Sequence, residues 1–294
     1  MIVFMLMSNY LVASYLVVGS SGNLPTASDG EIILNPISID FSTVELSSSN
    51  RYIDIPIYIK SDSTEEIKMK MSNISALENG GESMGITLSY RGSTISSDVS
   101  FILMNSGEGG RDGNTIVGKI RVTIPSLYPV QTYGAYQTKI DMELSSTNYV
   151  KRPINYLNVS ANVPLVTIAG FDVVSSYTSG QRFLDATIEY GKFNLNKKNS
   201  IEKSLFIKSN SDQNFKIAFD TTALISQINS NYQIPLYYYF NNLPFKNNRS
   251  FTALSGKDKG ERSIGKVKFE TETIDSSLIS GNYEAVINVT ISLE

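Results

Sequence analysis

No cysteine and no histidine occur anywhere in the 294 residues. Without cysteine there is no thiolate nucleophile, no thiolate zinc site and no disulfide. Any domain that leaves the cell must then hold together on its core alone. Without histidine, the usual imidazole general base and the commonest metal ligand are both missing. Charge is sparse as well: charged residues make up 18% of the chain and the net charge is −3. That leaves no basic footprint for nucleic acid and no polybasic patch for anionic lipid. Beyond the N-terminus no apolar segment approaches membrane-spanning length. The composition therefore predicts a non-enzymatic chain with no catalytic, cofactor-binding or metal-ligating residues. Proteins or sugars are the partner classes that remain.

What is present is 41% hydrophobic residues in a background rich in Ser, Thr, Asn and Tyr, the profile of short strands joined by polar turns. The length suits two ordinary domains. Residues 1–22 carry no charge, with an apolar run from Leu11 to Val18 and small residues at Gly19, Ser20 and Ser21. This predicts a signal peptide over 1–22, although the usual basic start is missing, since the first cationic residue is Arg51. An uncleaved anchor is the alternative, but Ser8, Asn9, Tyr10 and Ser14 make the stretch short for a spanning helix.

The rest of the chain reads as one unit used twice. Residues 57–63 (IYIKSDS) and 205–211 (LFIKSNS) match in kind at every position, 148 residues apart. The same spacing carries Ile67-Lys68-Met69 onto Phe215-Lys216-Ile217, and Ile86, Leu88 and Tyr90 onto Ile234, Leu236 and Tyr238. At a spacing of 147, Gly118-Lys119-Ile120 meets Gly265-Lys266-Val267, and Gly134-x-Tyr136 meets Gly281-x-Tyr283. At 149, Ile39-Asp40-Phe41 meets Ile188-Glu189-Tyr190. A drift of two residues over a whole domain predicts tandem duplication of one fold.

Each copy alternates with period two. Ile53, Ile55, Ile57 and Ile59 share a face, as do Tyr283, Ala285, Ile287, Val289 and Ile291. Alternation means one face buried and one wet, as in antiparallel sandwiches. Turn signals fall between the runs at Ser48-Ser49-Asn50, Asn79-Gly80-Gly81, Gly107–Gly113, Asn241-Asn242 and Ser255-Gly256. Only 222–230 looks helical. The fold class is all-β, with two tandem immunoglobulin-like antiparallel β-sandwiches over 30–167 and 168–294.

Few motifs carry chemistry. The Gly107–Gly113 run looks superficially like a phosphate loop but lacks the Lys-Ser/Thr pair and opens no helix, so it reads as a hairpin loop. Carboxylate pairs such as Asp40 with Asp54 read as solvated face charges. In Tyr237-Tyr238-Tyr239-Phe240, alternation puts Tyr238 inside and Tyr237 and Tyr239 outside. The outer pair is a candidate receptor surface, against the plainer reading of strand-face packing.

Between the copies, Leu157, Val159, Ala161, Val163 and Leu165 alternate with Asn158, Ser160, Asn162 and Pro164. This predicts an extra strand completing copy one in cis. The chain ends at Glu294 just after the last strand of copy two, so copy two is expected to keep an open apolar groove. Its acceptor residues would be Leu205, Ile207, Phe215, Ile217, Phe219, Tyr283, Ile287, Val289 and Ile291. An unpaired edge of that kind is a hazard unless filled, and a strand from another chain fills it by β-augmentation.

The second copy resembles a chaperone–usher fimbrial (pilin) subunit of the two-domain tip or minor type. The residues that carry the resemblance are Ile188-Glu189-Tyr190-Gly191, Leu205–Ser211, Ile234–Tyr238 and the closing run Ser280–Thr290. It covers roughly 180–294 well and 30–144 more weakly. It implies capping by a periplasmic chaperone, export through an outer-membrane usher, assembly with other fimbrial subunits by donor-strand exchange, and an extracellular fimbrial location. It also implies a possible host receptor, with no membrane attachment after signal cleavage. Shaft subunits of that family begin with a donor extension. Only about eight residues separate the expected cleavage region from Glu31–Leu34 here, which points to a terminal subunit or adhesin. The alternative is a monomeric, secreted carbohydrate-binding sandwich.

Overall fold

The computed structural model describes residues 15–28, 30–44, 49–62, 64–107, 111–125, 131–146, 152–171, 180–211, 213–245, 251–254 and 260–293. Among these there is no helix, and the fold is all-β. The stretch 222–230, expected to be helical, instead contains a strand, because Leu224 and Ser226 alternate into the interior and the backbone pairs on both sides. Residues 1–14, residues 108–110 of the glycine loop and the Ser255-Gly256 turn lie outside the described residues.

The chain divides into two compact units that change over at Asn162–Val163. The first contains β1 (Leu16–Gly19), β2 (Ile32–Leu34), β3 (Ile37–Thr43), β4 (Arg51–Ser61), β5 (Ile67–Ser72) and β6 (Leu77–Asn79). It continues with β7 (Glu82–Met84), β8 (Thr87–Tyr90), β9 (Ser93–Thr94), β10 (Ser100–Met104), β11 (Arg111–Ile124), β12 (Gly134–Ser146) and β13 (Ile154–Val163). The second unit contains β14 (Val166–Gly170), β15 (Gly180–Phe183), β16 (Ser200–Ser209), β17 (Phe215–Phe219), β18 (Ala223–Ser226) and β19 (Gln233–Phe240). It ends with β20 (Leu243–Phe245), β21 (Phe251–Leu254), β22 (Gly260–Thr271), β23 (Tyr283–Glu284) and β24 (Val289–Leu293). Val166 and Thr167, expected in the first domain, thus belong to a strand of the second.

One sheet of each unit has the same order: β2-β1-β4-β11-β8 in the first, β15-β14-β16-β22-β19 in the second. In both, the opening strand runs parallel to the next strand and antiparallel to the long one. The same kind of side-chain bracket holds the start of that opening strand. The Tyr15 N–H donates to Asp62 Oδ1 at 3.0 Å, and the Val166 N–H to Asn210 Oδ1 at 2.7 Å. A register shift interrupts β4–β11 at Gly118 and β16–β22 at Gly265. A Cβ at Gly118 would strike the Tyr90 ring and one at Gly265 the Asn241 amide, so each bulge requires glycine.

Two sequence expectations change. Tyr90 pairs with Ile120, but Val267 pairs with Phe240 rather than Tyr238. The alignment through this strand is therefore two residues away from the sequence match. The turns agree, since Arg91-Gly92 and Asn241-Asn242 all have positive φ and close two-residue hairpins. A two-residue slip keeps every side chain on its face, so alternation does not reveal it. Second, Leu16, Val17 and Val18, expected in the leader, form β1 between β2 and β4 and are at most 1% exposed. Cleavage at Gly19–Ser21 would strip this strand from the sheet, so the structure places the start of the first unit at or before Tyr15.

Leu16→Ala is accordingly expected to destabilise the first unit by about 2–5 kcal/mol, the cost of truncating a fully buried leucine. Thermal unfolding followed by circular dichroism checks this.

Candidate functional site

The first unit shows how this sandwich is completed. Its second sheet runs β10-β5-β12-β13-β3, so β13 is hydrogen-bonded on both edges. It lies parallel to β3, with Leu157 opposite Ile37 and Val159 opposite Ile39. Of the residues expected in this strand, Leu157, Val159, Ala161 and Val163 are buried. Leu165 lies beyond the strand and is half-exposed.

Among the described residues of the second unit the corresponding sheet is β21-β17-β24 and stops there. Both banks of the position that β13 fills in the first unit are altered. On one bank, β12 is continuous over Gly134–Ser146, whereas its counterpart splits into β23, paired with β18, and β24, paired with β17. Residues 285–288 between them join no ladder. On the other bank, 184–190 is irregular where β3 is a strand. Tyr136, Ile140, Met142 and Leu144 are at most 1% exposed, while Tyr283, Ile287, Val289 and Ile291 at the matching positions are only partly buried.

Between the banks lies a groove of about 1460 Å³. Of the acceptor residues expected from the sequence, Phe219, Tyr283, Ile287 and Val289 line it. Leu205, Ile207, Phe215 and Ile217 are instead fully buried in the core beneath, and Ile291 packs against that core. Sequence reasoning missed Phe171, Phe183, Ile188 and Tyr190 as lining residues. Ile188 and Tyr190 had matched β3 in the repeat, which was the available signal.

The groove floor is rigid and aromatic. Phe219 stacks on Tyr238 at 5.1 Å between ring centroids and meets Phe269 edge-on, and Phe171 meets Phe269 in the same way at 5.4 Å. The Tyr238 hydroxyl donates to the Thr221 carbonyl at 2.8 Å. Burial raises its pKa above the ordinary phenol value. The broken bank at 285–288 is tied down by Asp220 and Thr221. Asp220 accepts hydrogen bonds from the Asn288 N–H at 2.9 Å and from Asn288 Nδ2 at 2.7 Å. Thr221 Oγ1 donates to the Val286 carbonyl at 2.6 Å. The Asn288 side-chain hydrogen bond, first among several, holds the Asp220 carboxyl below its usual range.

The exposed tyrosines lie on the opposite face of β19 from Tyr238. Tyr237 donates to Glu272 Oε2 at 2.6 Å and Tyr239 to Glu270 Oε1 at 3.2 Å. The Lys268 ammonium sits 4.1 Å from the centroid of the Tyr239 ring. Both phenols are thus engaged with neighbouring carboxylates. Among the described residues no group of three or more acidic side chains is placed to hold a metal ion.

No protein-family profile matches the chain, and no curated protein matches its sequence. Its structural neighbours include chaperone–usher pilus subunits and tip adhesins. It is similar to a chain of the CsuC–CsuE chaperone–tip adhesion subunit pre-assembly complex from archaic chaperone–usher Csu pili of Acinetobacter baumannii. The identity there is 12%, over 88% of this chain and 99% of that one, with a TM-score of 0.46. The CooA pilin subunit of enterotoxigenic Escherichia coli is 15% identical over 50% of this chain and 97% of that one, with a TM-score of 0.35. CfaE, the adhesive subunit of CFA/I fimbria of enterotoxigenic Escherichia coli, is 10% identical over 87% and 92%, with a TM-score of 0.28. These are likenesses of fold.

A carboxyl held below its ordinary pKa stabilises the fold above about pH 4, where the unfolded group ionises, and loses that contribution as pH falls through its lower folded value. Asp220→Asn is therefore expected to melt lower than the parent at neutral pH. The gap should narrow as pH falls from about 4 through the lower folded value of Asp220. Melting curves across that range test this.

Proposed function

We propose that this chain is a fimbrial adhesin or minor tip subunit, assembled by donor-strand complementation through its second unit. The first unit is complete, because β13 occupies the place between β12 and β3. The second presents a groove floored by Phe171, Phe183 and Phe219 at the same place, with backbone that joins no ladder on both banks, and this observation carries the proposal. Unpaired strand edges beside apolar surface are satisfied by adding a strand. The occupant is a single extended segment with alternating apolar residues, supplied by another fimbrial subunit. Before assembly a periplasmic chaperone would hold the same groove, and an outer-membrane usher would export the complex to the cell surface. The shared sheet order of the two units supports their descent from one duplicated module. Nothing in this scheme calls for an enzyme or a cofactor.

The ten residues of β13 fill the matching place in the first unit. A synthetic peptide of Ile154–Val163, added to the full chain, should raise the melting temperature of the second unit in a concentration-dependent way. Amides of 285–287 should become protected from hydrogen exchange. Ile287→Asp, which places a charge in the groove, should abolish both effects. If the peptide leaves melting and exchange unchanged, the groove is not a strand acceptor.

A further inference from the structure

The groove, taken as a strand acceptor, also says something about the sequence of its occupant. We infer that the strand completing the second unit carries a serine or threonine at the level where the first unit has Ala161, and that the Tyr190 hydroxyl selects it. This inference rests on the donor-strand reading given above.

The first unit supplies the register. The β13–β3 pairing steps from Ser160–Asp40 to Asn162–Thr43, which leaves Ala161 opposite Phe41 and Ser42 at a bulge. Ser42 holds the bulge with φ +54. In the second unit Gly191 has φ +66 immediately after Tyr190, as Ser42 follows Phe41. The irregular bank thus already has the left-handed residue that β3 uses against β13, and Tyr190 stands where Phe41 stands. Glycine adopts this conformation without a steric penalty.

The two residues differ by one hydroxyl. Tyr190 lines the groove, yet its hydroxyl is buried and has no hydrogen-bond partner. Tyr238, in the same core, has its hydroxyl satisfied by a carbonyl. A buried polar group left unpaired costs the equivalent of about tenfold in an equilibrium. Residues 184–190 join no ladder, so Tyr190 can turn toward an incoming strand as that segment pairs with it. A residue like Ala161 at this level would leave the hydroxyl orphaned. A carboxylate would bury an uncompensated charge. Asparagine and glutamine are too large for a position where Ala161 is only 3% exposed. Serine and threonine fit and can accept the hydrogen bond.

The test uses the full chain and two peptides of Ile154–Val163, one of native sequence and one carrying Ala161→Ser. Their dissociation constants are measured by calorimetry on the parent protein and on Tyr190→Phe. The variant should fold, because phenylalanine is the residue at the matching position of the first unit. The serine peptide should bind the parent about five- to tenfold more tightly than the alanine peptide, and the preference should vanish in Tyr190→Phe. Equal binding of both peptides to the parent overturns the inference while leaving the groove an acceptor, as does a serine preference that survives in Tyr190→Phe. Failure of both peptides on both proteins removes the donor-strand reading itself, and this inference with it.

Discussion

Every interior β-strand has two edges of backbone N–H and C=O groups, and both must find partners once the strand leaves water. In the first unit β13 meets this requirement for two neighbours at once, joining β12 to β3. Its four buried side chains seal the core, at about 1.5–3 kcal/mol for each large one removed from water. In the second unit no such strand stands between the banks among the described residues, and both banks lose ladder structure. Residues 285–288 drop out of a strand that is continuous in the first unit, and 184–190 fails to become a strand at all. One missing element thus accounts for the broken strand, the irregular segment and the half-buried row of Tyr283, Ile287, Val289 and Ile291.

The second unit nevertheless remains organised around the gap. Its floor is fixed by stacked and edge-on aromatic rings centred on Phe219, with Tyr238 anchored by its own hydrogen bond. The Asp220 and Thr221 contacts to 286–288 keep one bank in place. Gly191 gives the other a positive-φ residue at the position that Ser42 holds in β3. A floor of packed aromatic rings with partly formed banks would lower the ordering cost of an added extended segment, since less of the final structure would have to be made on arrival. With no cysteine in the chain, no disulfide stiffens this unit, and backbone pairing carries the load.

Much of the fold was legible in the sequence. Period-two alternation located β4, β5, β13 and β19 and put Tyr238 inside between two outward tyrosines. The glycines at 118 and 265 marked matching bulges, although their meaning needed the register. Other features were not legible. Alternation is blind to a two-residue slip, so the pairing of Tyr90 with Tyr238 was drawn in place of Tyr90 with Phe240. Composition made Leu16–Val18 look like a leader, because a short apolar run reads the same whether it enters a membrane or a core. The acceptor residues were inferred from alternation alone, which cannot tell a core floor from a groove wall, so Leu205, Ile207, Phe215 and Ile217 were placed in the groove.

The sequence by itself determined the all-β class, the order of inward and outward faces, and the presence of an alternating strand after β12. These follow from local patterns, because the side-chain period and the turn residues are properties of neighbouring positions. The tertiary structure alone decided which edges stay unpaired, which aromatic residues face the groove and which hydroxyl lacks a partner. Those depend on contacts between residues far apart in the chain, where burial and hydrogen bonding are settled only once the sheets have closed on each other.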